Sequence, residues 1–158
     1  VKDHFVLRTM LEPPAIRLGA RAVSQARLET LLRRLRGAEE ASTAGALREV
    51  EAIQTEFIEC CVLAAPNERL KDLVRNNLLP VTATDRLLRR LGLPGDPAII
   101  TELRLVAELL LRGATESAVS MMETHLQASL NRTIAQMKIV AIIPGPGVTA
   151  AYLTPVLD

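Results

Sequence analysis

Residues 54–67 read QTEFIECCVLAAPN. On a helix, Gln54 and Ile58 stand four apart, one above the other on a single face. A carboxylate and an imidazole at that spacing would present two donors to a metal or a polar substrate. Here the pair is an amide and an aliphatic chain, which offers one hydrogen bond and one apolar wall. Cys60 and Cys61 follow a turn later. Neighbouring cysteines rarely bridge and the chain has no others, so they read as small apolar residues of a core or its boundary in a reducing cytoplasm. Nucleophilic catalysis by either thiol would need a base, and His125 is the sole internal candidate. With His4 it makes two histidines, too few for most metal cages. No GxSxG, GxxxxGK[ST], GxGxxG, HExxH or CxxC stretch occurs. No enzymatic activity, metal or other cofactor is expected.

The elements that would position these residues are helical. Apolar residues recur at helical spacing from Phe5 to about Val23, interrupted by Pro13 and Pro14, where a kink or a fresh helix start is expected. Ser24 offers an N-cap for a second helix with a stripe of Leu28, Leu31, Leu32 and Leu35. Its Arg27, Arg33, Arg34 and Arg36, with Glu29, Glu39 and Glu40 close by, read as a solvated face. A third helix is expected from near Thr43 to Ala65, with Leu47, Val50, Ile53, Phe57, Cys61 and Ala64 or Ala65 inward. Pro66 and Asn67 close it and cap a fourth, over NERLKDLVRNNLLP, with Leu70, Leu73, Val74 and Leu78 as its stripe. A short helix and a Gly/Pro-rich turn come next in TATDRLLRRLGLPGDP. A fifth helix spans about Pro97 to Arg112, with Ile100, Leu103, Val106, Ala107, Leu110 and Leu111 inward. After Gly113 a sixth runs from Ala114 past His125 toward Met137. Only residues 139–143 show the alternation of a strand. The expected fold is an all-α, antiparallel bundle of six to seven helices.

Composition agrees with this fold. The 158 residues suit one domain able to bury a core without staples. A net charge of +1 gives no bias toward nucleic acid or membrane. Aromatic residues make up 2%, so the core must come from Leu, Ala, Val, Ile and Met, the usual filling of packed helices. The organisation expected is a helical domain over 1–138 and an apolar extension over 139–158, uncharged between Lys138 and Asp158. Pro144 and Pro146, with their glycines, break that run too early for a membrane anchor, so it is expected to pack on its own domain or on a partner subunit.

Three blocks carry a resemblance. LRTMLEPPAIRLGARAVS, residues 7–24, resembles the opening helix of the C-terminal effector-binding (FCD-type) domain of FadR-subfamily GntR transcriptional regulators, with Arg8 three positions before Leu11 and Glu12. EFIECCVLAAPN is similar to that family's Asp, Phe-His, small-residue run and closing Asn. TELRLVAELLLRGATESAVSMMETHL, residues 101–126, is similar to its Glu-His, leucine helix, Gly-containing break and Met three residues before His-Leu. Many members hold a divalent metal through an Asp and a His four apart and two further histidines. The resemblance lays those places on Gln54, Ile58, Leu103 and His125, of which only the last is a ligand of that kind. The metal site is therefore expected to be absent.

The resemblance implies a ligand-sensing and dimerisation domain of a bacterial transcription regulator, with DNA contacted only through an N-terminal winged helix-turn-helix upstream of this chain, which opens Val-Lys-Asp-His without a methionine. The expected ligand site joins Arg8, Gln54, Ile58, Leu103, Met121, His125 and Ser129. Ile58 and Leu103 make an apolar floor, Gln54 and His125 supply hydrogen bonds, Arg8 a positive charge, and Met121, Met122 and Ser129 the walls. The partners this implies are a small organic acid or acyl-type effector and a second copy of the chain, in the cytoplasm and away from any membrane. The alternative is a helical interaction module whose core is filled, with Arg8 paired to Glu12 and His125 a hydrogen-bonded core residue.

Overall fold

The computed structural model describes residues 1–41 and 47–142, and every regular element among them is helical. The chain forms the expected all-α bundle. Its elements are α1 (Lys2–Gly19), α2 (Gln25–Ala41), α3 (Leu47–Phe57) continued by a π-helical segment Ile58–Val62, α4 (Glu68–Arg90), α5 (Ala98–Leu111) and α6 (Thr115–Ile142). α6 is the spine, with α1 and α5 packed along it, α2 on α5 and α4 on α1. Arg17, late in α1, meets Glu116 at the start of α6 at 2.8 Å, while Phe5 and Thr133 line one small crevice, so α1 and α6 run antiparallel. Gly113, at φ 75°, turns α5 back onto α6, and Ala114 N donates to Leu109 O at 2.9 Å.

The second helix follows its reading most closely. Leu28, Leu31, Leu32 and Leu35 are all buried, and Arg34 pairs with Glu49 and Glu56 on the rim. Asn67 caps α4 as expected, its Oδ1 accepting from Leu70 N at 3.0 Å. Ile53, Phe57, Cys61 and Ala65 are buried, and so is Cys60. Leu73 is the exception in its stripe, at 55% exposure.

The proline breaks are corrected. Pro13 and Pro14 lie inside one uninterrupted α1, and Pro80 lies inside α4, which absorbs the separate short helix expected after it. A proline in a helix interior costs about 3 kcal/mol through its missing donor and ring clash. Burial across each proline outweighs that. Phe5, Arg8, Glu12, Ala15, Ile16 and Gly19 share one buried face of α1, and Val74, Asn77, Val81 and Leu88 one buried face of α4. α6 also runs beyond Met137 to Ile142, because Met137 and Val140 pack on Leu88; residues 139–142 are helical, not strand-like. The side chain of Leu47, the start expected near Thr43 and residues 143–158 of the apolar extension lie outside the described residues.

α1 buries a charged pair among its apolar residues and exposes apolar side chains. Arg8 and Glu12 are buried while Val6, Leu7, Met10 and Leu18 are 54%, 44%, 66% and 58% exposed. The inward charges neutralise each other: Arg8 Nε donates to Glu12 Oε1 at 2.6 Å and Nη2 to Oε2 at 3.2 Å, and the guanidinium lies 5.3 Å from the Phe5 ring centroid. At its end α1 comes against bare backbone. A Cβ on Gly19 would stand 2.6 Å from Ala65 N, so the position takes no side chain.

Candidate functional site

A cavity of about 350 Å³ opens among α1, α3, α4, the start of α5 and α6. α6 supplies one wall through Met122, His125, Ser129, Arg132, Thr133 and Gln136, positions three or four apart that a helix stacks on one face. From His125 to Gln136 this wall is roughly 16 Å long, at about 1.5 Å per residue. α3 and its π-helical continuation bring Val50, Gln54, Phe57 and Ile58, and α4 faces them with Leu78, Thr82, Asp85 and Arg89. The π turn is formed by Leu63 N donating to Ile58 O at 2.9 Å, a five-residue step that sets Ile58 at the cavity and both cysteines in the core.

The cavity is lined by six of the seven residues named from sequence: Arg8, Gln54, Ile58, Leu103, His125 and Ser129. Met121 is not among them. It packs partly buried against the core, and its neighbour Met122, fully buried, lines the cavity instead. Phe57, Leu103, Met122 and His125 are buried at its depth, while Arg75, Leu79 and Arg86 are exposed at the rim.

The polar groups are arranged around His125. Its Nδ1 lies 2.6 Å from Glu102 Oε2, and Arg132 grips the same carboxylate with Nη1 to Oε1 at 2.8 Å and Nη2 to Oε2 at 2.7 Å. Arg132 Nη2 also donates to Ser129 Oγ at 3.1 Å. Burial pushes the Glu102 carboxyl up, but hydrogen bonds from Arg132 and His125 more than reverse this and hold it at about 2. Burial is also the largest influence on His125, lowering it below the ordinary histidine value despite the Glu102 bond, with Arg8 acting in the same direction as burial. The ring is therefore neutral at pH 7 beside an ionised carboxylate.

Two ionisable groups toward the other end have no ion pair among the described residues. Arg89 donates Nη1 to Leu93 O at 2.6 Å and Nη2 to Gln136 Oε1 at 3.3 Å, both neutral acceptors. Asp85 has no hydrogen-bond partner among the described residues, and burial raises its carboxyl despite Arg8 and Arg89 nearby. By contrast Arg86 is paired with Glu51, and Arg8 with Glu12. The positive charge expected from Arg8 is thus already spoken for within α1, and Arg89, whose side-chain acceptors among the described residues are neutral, is a cation open to an anion.

Sequence reasoning missed Glu102, Asp85, Arg89, Arg132 and Gln136. Arg132, Thr133 and Gln136 continue the stripe of His125 and Ser129, so the spacing alone points to them. Asp85 and Arg89 were hidden by ending the fourth helix at Pro80.

The places that the family resemblance gives to metal ligands hold an amide, two aliphatic chains and one imidazole. Among the described residues no group of three or more His, Cys, Asp or Glu side chains is placed to hold a metal ion. That donor set does not fit a divalent ion, which takes at least three N, O or S donors from the protein. No helix among the described residues is long and apolar enough to cross a membrane.

The model of the FCD domain family matches residues 3–128. No curated protein and no solved structure gives a match. The match takes in α1 through the first half of α6, and with it most of the cavity wall. The chain belongs to the FCD domain family, the effector-binding regulatory domains of GntR-type transcription regulators.

Proposed function

We propose that this chain is the ligand-sensing and dimerisation domain of a bacterial FadR-subfamily regulator, that it binds a small organic acid with an apolar body, and that it does so without a metal and without catalysis. The observation that carries this reading is the cavity. Its volume of about 350 Å³ is in the range of small-molecule sites, and its lining combines an apolar interior with a few polar groups. A module with a filled core would have no such space, which favours sensing over the alternative of a pure interaction module. Arg89, rather than Arg8, is the anchor for the acid group, since its guanidinium meets only neutral acceptors.

The outward apolar face of α1, with Val6, Leu7 and Met10, supports dimerisation through that helix and the neighbouring Leu73 of α4. DNA contact on this reading belongs to a winged helix-turn-helix preceding α1. An effector that prefers one packing of the bundle would shift the spacing of two such modules in a dimer, and with it operator affinity.

A melting-temperature screen with straight-chain monocarboxylates of six to twelve carbons tests this. At least one acid should raise the melting temperature of the wild type and of His125→Ala and leave Arg89→Ala unmoved. Equal shifts in all three proteins would remove the cavity as the binding site.

A further inference from the structure

We propose that Glu102 and Arg132 fix His125 as a hydrogen-bond acceptor, so that the buried end of the effector carries an uncharged O–H or N–H donor for Nε2. This rests on the effector reading above and specifies the ligand's chemistry at its deep end. The geometry determines which ring nitrogen holds the proton. Glu102 receives two guanidinium bonds from Arg132, at 2.8 and 2.7 Å, and stands 2.6 Å from His125 Nδ1. An ionised carboxylate only accepts, so Nδ1 must be the donor, and a neutral ring then keeps its lone pair on Nε2. Among the described residues Nε2 has no partner, while His125 lines the cavity and is 3% exposed.

The surroundings select what completes that lone pair. The same tautomer suits a metal ligand, but Ile58 and Leu103 occupy two of the places where further donors would stand. A carboxylate brought to Nε2 would meet a lone pair and not a donor, and the cations near the ring are already engaged, Arg8 by Glu12 and Arg132 by Glu102. The guanidinium of Arg132 is turned to Glu102, with its Nε 3.5 Å from Asp96 Oδ2. A hydroxyl or amide N–H satisfies the nitrogen and brings no charge into the wall. The effector is thus two-ended: an anion for Arg89, and a donor for His125 at the other end of a wall roughly 16 Å long.

Two measurements on the ¹⁵N-labelled protein separate this inference from the effector reading. The first is the tautomer of His125, read at pH 7.5 from long-range ring N–H correlations, with His4→Gln identifying the His125 signals. A protonated Nδ1 and an unprotonated Nε2 are expected, with the preference weakened in Glu102→Gln. A proton on Nε2, or on both nitrogens, would overturn the inference whatever the protein binds. The second compares 10-hydroxydecanoate, decanoate and decanedioate by calorimetry. The hydroxy acid should bind about tenfold tighter than decanoate, the value of one well-made hydrogen bond, and decanedioate weakest. Decanedioate binding as tightly as the hydroxy acid would overturn the donor requirement while leaving the effector reading standing. No binding of any of the three, with the tautomer as stated, would instead overturn the effector reading, and the ligand class with it.

Discussion

Glu102 on α5 and His125 on α6 are joined by a 2.6 Å hydrogen bond that helps hold the carboxylate ionised, while burial keeps the imidazole neutral. The bond ties the hairpin of the bundle to its cavity. Glu102 is itself outside the cavity wall, so its influence on anything bound there passes through the orientation and protonation of the imidazole.

The pair gives stability a defined pH dependence. The Glu102 carboxyl sits at about 2 in the folded chain, below its ordinary 4.5. Between those values the unfolded chain binds more protons, so this contribution is present above pH 4.5 and lost as pH falls toward 2. His125 is depressed below 6.5 by burial, so its contribution is present above pH 6.5 and lost below it. Chemical unfolding from pH 8 to 3 should show stability falling first below pH 6.5 and again below pH 4.5, the upper fall missing in His125→Gln and the lower one reduced in Glu102→Gln, where the other ion-paired carboxylates still contribute. A stability flat across pH 4–7 would be incompatible with a buried, neutral His125.

Asp85 is a carboxyl group facing the cavity without a partner among the described residues, and burial raises its pKa from 3.8. A raised carboxyl destabilises the fold once it is ionised, so Asp85→Asn should raise the melting temperature at pH 7. The gain should shrink as the pH is lowered toward 4. A loss of stability in Asp85→Asn would mean that the carboxylate has a partner in solution.

Arg8 and Glu12 form a buried pair on the inner face of α1. Arg8→Ala leaves Glu12, 1% exposed, as an uncompensated buried charge, and removal of one partner of such a pair typically costs 3–5 kcal/mol. Arg8→Met with Glu12→Leu should restore most of that in urea unfolding. If Arg8→Ala alone proves neutral, the pair is not held as described.

The outer face of α1 is the proposed dimer contact. Met10→Glu places a charge at its most exposed apolar residue, 66% accessible, and should convert a dimer to a monomer in sedimentation equilibrium with the helical content unchanged. A dimer of undiminished affinity would move the interface elsewhere.

Residue pattern made the helices and most of the cavity lining legible. The leucine stripe of α2, the Asn67 cap and the Gly113 turn each depend on neighbours within one or two turns, and such local signals survive in a single sequence. What was hidden depends on partners far along the chain. Pro13, Pro14 and Pro80 were read by their local cost, which burial of the flanking faces outweighs. The pairing of Arg8 with Glu12 is a local i, i+4 contact that the sequence offers as an alternative to a free cation, and the structure takes that alternative. Glu102 was passed over for its neighbour Leu103, because its role exists only once α6 brings His125 and Arg132 to it. Met121 and Met122 are adjacent and both read as walls; only Met122 lines the cavity, because the rotation of α6 is given by spacing only to within a residue.

Native mass spectrometry of the gently purified protein tests the central claim most directly. The account predicts a dimer carrying a small organic mass and no divalent metal, with that mass lost from the Arg89→Ala, His125→Ala double variant. A bound divalent ion, or an organic mass retained undiminished in the double variant, would contradict it.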